Sequence, residues 1–195
     1  MRRSLIGMAT VVAWLASGCS ILAPQPDPSQ YFVLTPVVEM AKPVGGPRLT
    51  LGVGPVVLPA YLARLPIVRR TGENQLALSA TGVWAEPLDR NVQRVVAENL
   101  ARLLGNVEII YYPSFTTIRV DRQVSIAILR FDADEHDTIS LDARWMIRNP
   151  AENAGTDTRE SHIVRQAADG STSAMVAAMS EAVGALSQEI AEKLR

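Results

Sequence analysis

The chain has 195 residues, 48% hydrophobic and 20% charged, a balance that suits one buried core and excludes a disordered chain. Its formal charge of −1 lacks the basic excess of a nucleic-acid binder. A single cysteine excludes an internal disulfide framework.

The lone cysteine is explained by its position. Met1-Arg2-Arg3 is a short positive start, and Leu5 to Leu15 is an apolar run of eleven residues. That length is short for a bilayer span and right for the core of a signal peptide. Leu15-Ala16-Ser17-Gly18-Cys19 follows and resembles the lipobox of bacterial lipoproteins, with Ala16 where leucine is usual and Leu15 one place earlier. The resemblance implies that residues 1–18 are removed as a signal peptide and that Cys19 takes a diacylglycerol on sulfur and an acyl chain on nitrogen. Each buried methylene contributes about 0.8 kcal/mol, so several chains on one residue make release negligible. Ser20, rather than Asp, follows the cysteine, which by the same resemblance implies the outer membrane, periplasmic face. Removing Arg2 and Arg3 from 19 basic residues, against 20 acidic ones, leaves a mature charge of −3.

Residues 19–30 then read as the lipidated cysteine and a tether, because Pro24, Pro26 and Pro28 favour extended backbone. Residues 31–195 read as one globular domain. Tyr31 to Thr35 is a strand closed by Pro36, and Pro43 to Pro47 a loop. Arg48 to Val57 is a second strand containing Gly52, Gly54 and Pro55. No third glycine stands at dinucleotide-binding spacing, so a bulge or an edge strand accounts for it better. Pro59 to Leu65 is a turn or short helical piece with Tyr61 and Leu62 outward, before two short strands, Ile67 to Arg70 and Gln75 to Leu78.

Pro87 sits where a first helical residue would, and Leu88, Val92, Val95, Val96, Leu100, Leu103 and Leu104 form a helical stripe that Gly105 ends. Val107 to Tyr111 is a strand stopped by Pro113. Arg122 to Phe131 and Thr138 to Arg148 alternate apolar and polar residues, so each buries one face. The acidic run Asp132 to Asp137 is the polar tip between them, and Arg159 to Gln166 is the third strand of the meander. A last helix from about Thr172 to Leu194 places Val176, Met179, Val183, Leu186 and Ile190 on one side. The expected fold is α/β (α+β): a mixed, largely antiparallel sheet with two main helices packed on one face.

Catalytic signatures are missing. The two histidines, His136 and His162, belong to no metal or nucleophile motif, and no Gly-x-Ser-x-Gly or Walker loop occurs. The 132–137 run lacks the glycine and distal glutamate of a calcium loop, so a solvated turn is the better reading. Trp84 and Trp145 suit the core. Tyr61, Leu62 and Arg64 are the candidate partner-contact residues. The expectation is no enzyme activity, no metal and no cofactor beyond the lipid on Cys19.

The segments Tyr31 to Leu34, Leu49 to Arg70, Trp84 to Leu88, Leu129 to Asp132 and Leu141 to Trp145 together resemble the ABC-type transport auxiliary lipoproteins, the PqiC-like family. That resemblance implies a lipoprotein partnering an MCE-domain transport protein that moves lipid between the two membranes. It implies contact with outer-membrane lipid through the anchor, and assembly as a ring of identical subunits. A stand-alone lipid or small-molecule carrier is the alternative, and an envelope hydrolase relying on His136 or His162 is a distant third.

Overall fold

The computed structural model describes residues 26–40, 47–114, 118–150 and 157–195. The expected signal peptide, Cys19 and the first part of the expected tether lie outside these, as do most of the 43–47 loop and part of the loop before residue 157.

Among the described residues eight strands form one sheet: β1 (Gln30–Phe32), β2 (Leu49–Val57), β3 (Pro66–Gly72), β4 (Gln75–Trp84), β5 (Val107–Tyr111), β6 (Arg122–Ala133), β7 (Thr138–Arg148) and β8 (Asp157–Gln166). Helix α1 (Leu88–Leu104) follows β4, and α2 (Thr172–Leu194) closes the chain. The class matches expectation, a mixed sheet whose two longest ladders, β6–β7 and β7–β8, are antiparallel. The parallel part is a finding of the structure: β2 lies between β5 and β6 and pairs parallel with both, and β1 pairs parallel with β4.

β6 organises the sheet. One edge carries β7 along almost its whole length, and the other carries β2 beside Arg122 to Ala127 and β3 beside Ala133. Its alternation breaks once, at a bulge between Ile128 and Arg130. Val124, Ile126 and Ile128 precede the bulge, Phe131 and Ala133 follow it, and all five are buried. Without the extra residue, Phe131 would point away from the core, because a one-residue slip exchanges the faces. Leu129, the bulge residue, is left half exposed.

Both helices cover the face carrying Val124, Phe131, Ile139, Leu141 and Trp145, and they pack on each other. Every position of the 88–100 stripe is buried, as are Val176, Met179, Val183, Leu186 and Ile190 of α2. Full burial of such side chains contributes about 1.5–3 kcal/mol each before entropy is counted. α1 ends where Gly105 turns to φ +73° and its N–H reaches the Ala101 carbonyl. α2 begins at Ser171, whose hydroxyl accepts from the Ala174 N–H.

Gly52 and Gly54 prove to be packing residues. A Cβ on Gly52 would stand 2.9 Å from the Tyr112 ring, and one on Gly54 2.4 Å from both Gln93 Nε2 and the Tyr112 carbonyl. Gln93, buried on α1, donates from Nε2 to the Val53 and Tyr112 carbonyls, so β2, β5 and α1 meet at bare backbone. Of the two sequence readings here, the bulge is present between Val53 and Val56, whereas β2 is an interior strand rather than an edge.

Between β1 and β2, residues 33–38 form a strap across the helix pair. The Leu34 N–H donates to Asn91 Oδ1 at 3.0 Å and the Thr35 N–H to Ser180 Oγ at 3.2 Å. Arg94 reaches the Leu34 carbonyl and Arg102 the Pro36 carbonyl. Leu34 and Val38 point inward and are buried, with Val37 lying over Gly184.

Candidate partner-contact site

The connection from β2 to β3 meets the C-terminal end of β6 at Asp132 and holds all three candidate contact residues. Its tight shape comes from backbone bonds, Leu62 N–H to the Pro59 carbonyl at 3.0 Å and Arg64 N–H to the Leu62 carbonyl at 2.8 Å. That turn drives Leu62 into the core, where it is 2% exposed, so the expectation that it faces a partner is corrected. The cause is physical: an apolar side chain in a tight turn against a sheet gains more by filling the space beneath it. Tyr61 is half-buried, while Ala63, Arg64 and Leu65 are exposed.

Tyr61 is held by its polar end. Its hydroxyl donates to Asp132 Oδ2 at 3.3 Å. Asp132, 0% exposed, also accepts from Arg70 through Nε (3.3 Å) and Nη2 (3.1 Å), and from Arg130 Nε at 2.9 Å. Burial, with the Asp132 carboxylate beside it, pushes the Tyr61 hydroxyl above its ordinary 10.0. The hydrogen bond to Asp132 raises the Arg70 guanidinium, outweighing burial, which acts the other way. This cluster is a clamp fixing the loop and β3 to β6 on the helix-free face, and sequence reasoning missed it. It placed Asp132 in a solvated tip, whereas the bulge at Leu129 carries β6 to Ala133 and turns Asp132 onto the helix-free face beneath Tyr61. Arg130, two positions before Asp132, is the signal visible in the sequence, but which acid it meets depends on the bulge, and Arg70, 62 positions away, gives no local signal at all.

The rest of the acidic run is structural as well. Asp137 pairs with Arg69 at 2.6 Å, and Asp134 accepts from the His136 and Thr138 N–H groups. Among the described residues no group of three or more His, Cys, Asp or Glu is placed to hold a metal. His136 is exposed; His162 is also exposed and pairs with Asp142 across the β7–β8 ladder. Trp84 and Trp145 are core residues, and Trp145 Nε1 donates to Ser161 Oγ at 2.8 Å. Ser161 in turn bonds Glu189 of α2. These contacts join strands to strands or to α2, and they spend the polar groups on architecture.

The arrangement defines an α/β scaffold whose polar clusters fasten one element to the next. The sequence model of the ABC-type transport auxiliary lipoprotein component matches residues 32–191, and the chain belongs to that family. Two solved structures share the fold. The crystal structure of an uncharacterised protein is 18% identical with a TM-score of 0.69, covering 86% of this chain and 99% of its own. That of a Xanthomonas campestris protein is 16% identical with a TM-score of 0.68, covering 83% and 92%. No curated protein matches.

Proposed function

We infer that this chain is a non-catalytic, lipid-anchored subunit on the periplasmic face of the outer membrane. It serves an MCE-type (Pqi-like) intermembrane lipid transport system and so supports outer-membrane integrity. The observation that carries the reading is the family match across nearly the whole domain, in a family of transport auxiliary lipoproteins. The residues agree with it. Cys19 follows a signal-like start, three prolines separate it from β1, and the buried Asp132 faces two arginines and a tyrosine rather than an open cleft. Arg64 and Leu65, exposed on a loop clamped by Tyr61, form the contact surface offered to the MCE-domain protein.

The test is crosslinking of the full-length lipidated chain in its envelope, followed by pulldown and identification of partners by mass. Recovery of an MCE-domain protein is expected, with the subunit number of this chain read from the crosslinked ladder. A chain recovered alone with stoichiometric phospholipid overturns the reading in favour of a stand-alone carrier.

A further inference from the structure

The chain enters the domain at one corner of the sheet. Gln30 of β1 lies opposite Gly82 of β4, and the Ala85 N–H donates to the Phe32 carbonyl. In a parallel ladder a residue turns both its N–H and its C=O toward the same neighbour, so Phe32 and Gln30 face β4. Two residues earlier in the same register stands Pro28, and before it Pro26, neither with an N–H to donate. β1 therefore stops at Gln30, and β4 from Gln75 to Thr81 has no strand on its outer edge among the described residues.

That corner is apolar on its helix-free side. Phe32 packs against the core, so its neighbour Tyr31 faces away from the helices and is 67% exposed. Leu76 and Leu78 lie opposite Arg70 and Val68 of β3, the side from which Arg70 reaches Asp132, and they are 38% and 49% exposed. No charged residue occurs between Glu73 and Glu86. Elsewhere on this face Arg70, Arg130 and Arg144 stand against Asp132, Asp142 and Glu160, with His162 on Asp142, so the face presents no acidic excess to an anionic lipid.

The anchor sets the distance. Gln30 is eleven positions after Cys19, so its backbone stands at most about 40 Å from the lipidated residue. The strand from Gly82 back to Gln75 spans about 23 Å at strand rise, well within that reach. β1 also runs parallel to β4, so the chain before Gln30 departs toward the Gln75 end.

We propose that the β1–β4 corner, with Tyr31, Leu76 and Leu78, is the surface this domain lays on the phospholipid headgroups, so that orientation is fixed at the membrane as well as location. The proposal rests on the lipid anchor at Cys19. Tyrosine and leucine are side chains that favour the boundary between headgroup and acyl chain. The lipid chains hold the protein, and the corner decides which face is turned to the bilayer.

The experiment uses the full-length protein, lipidated in its host and reconstituted into phosphatidylethanolamine–phosphatidylglycerol vesicles. With Cys19 occupied, single cysteines at Leu76→Cys, Leu78→Cys and, on exposed α2, Gln188→Cys each take one environment-sensitive fluorophore. Quenching by nitroxide-headgroup lipid is expected to be several-fold stronger at positions 76 and 78 than at 188. Amide exchange of the unsubstituted protein should slow over residues 75–81 on the vesicles. Equal quenching at all three sites, with the protein lipidated and floating with vesicles, overturns the orientation and leaves the anchor standing. Host-made protein whose intact mass shows no lipid on Cys19, and which does not float with vesicles, removes the anchor reading and this proposal together. Slowed exchange over 75–81 that depends on protein concentration without vesicles assigns the edge to a second copy and overturns the bilayer as its occupant.

Discussion

Arg70 grips both carboxylate oxygens of Asp132, Nε 3.3 Å from Oδ1 and Nη2 3.1 Å from Oδ2, and it does so over a carboxylate that is 0% exposed. The two residues are 62 positions apart, on β3 and β6. β3 touches β6 by backbone pairing at a single position, Arg69 opposite Ala133, so the side-chain clamp supplies what the ladder does not.

Removing one partner of such a pair costs more than removing both, because a buried charge is left behind. Arg70→Ala should destabilise the domain by about 3 kcal/mol, since Arg130 is then the one cation of the clamp facing Asp132, with the Tyr61 hydroxyl beside it. Arg70→Ala combined with Asp132→Asn should recover part of that loss. Urea unfolding of the two single variants and the double variant gives the coupling directly. A double variant that loses the full sum of the single effects contradicts the clamp.

Gly54 carries the sharpest steric prediction. Its φ of +112° excludes most L side chains, and a Cβ would lie 2.4 Å from the Tyr112 carbonyl. Gly54→Ala should cost about 3 kcal/mol through backbone strain and loss of the Gln93 bonds. Gly72→Ala, where a Cβ meets Gln75 at 3.6 Å, should stay within about 0.5 kcal/mol of the parent in the same thermal scan.

The β6–β7 turn gives a pH signature. Burial alone would raise the Asp134 carboxyl, but the N–H groups of Thr138 and His136 hold it below its ordinary 3.8. A carboxyl lowered in the fold adds stability that is complete above the unfolded value and is lost as pH falls through the folded one. Asp134→Ala should therefore lower stability by about 1 kcal/mol at neutral pH, through the lost turn bonds. The gap between variant and parent should close as the pH drops below 3.8, which unfolding curves from pH 7 down to pH 2.5 would reveal.

The strap over the helices hangs on Asn91. Its side-chain oxygen takes the Leu34 N–H and the Arg94 guanidinium, both at 3.0 Å, inside a fully buried position. Asn91→Ala should cost about 1–3 kcal/mol, the range for leaving a buried donor without an acceptor. The Leu34 and Thr35 amides should then exchange with solvent ahead of the β6–β7 core, as read by hydrogen exchange. Uniform acceleration across the domain would show that Asn91 supports the whole core rather than the strap.

Much of this architecture is legible in the sequence, and the physical reason is periodicity. The 88–104 stripe, the alternation of 138–148 and the Val176 to Ile190 spacing each report one buried face, and each element appears within a residue or two of its expected bounds. What periodicity cannot carry is pairing. That β2 runs parallel between β5 and β6 depends on Gln93, Tyr112 and two glycines meeting at long range, and none of these repeats. The same limit hid the Asp132 clamp, because a single inserted residue at Leu129 reverses which side chains share a face. Leu62 departs from its expected exposure for a related reason: a tight turn can bury an apolar side chain that no pattern announces.

The loop between β2 and β3 lets stability be measured apart from the proposed contact. Arg64 and Leu65 are exposed and belong to no described clamp, so Arg64→Glu or Leu65→Ala should change unfolding free energy by no more than about 0.5 kcal/mol. If this loop meets the transport partner, Arg64→Glu reverses a charge at the contact while leaving the fold and the anchor intact. Recovery of the MCE-domain protein in the crosslink-and-pulldown should then fall several-fold with membrane association unchanged. Tyr61→Phe provides the internal contrast: it loses only the hydroxyl bond to Asp132 and keeps the ring in place. It should reduce stability by about 1 kcal/mol and leave partner recovery near the parent level. Wild-type recovery with Arg64→Glu would move the docking surface off this loop, and loss with Tyr61→Phe alone would make the rigidity of the loop, rather than its charge, the deciding property.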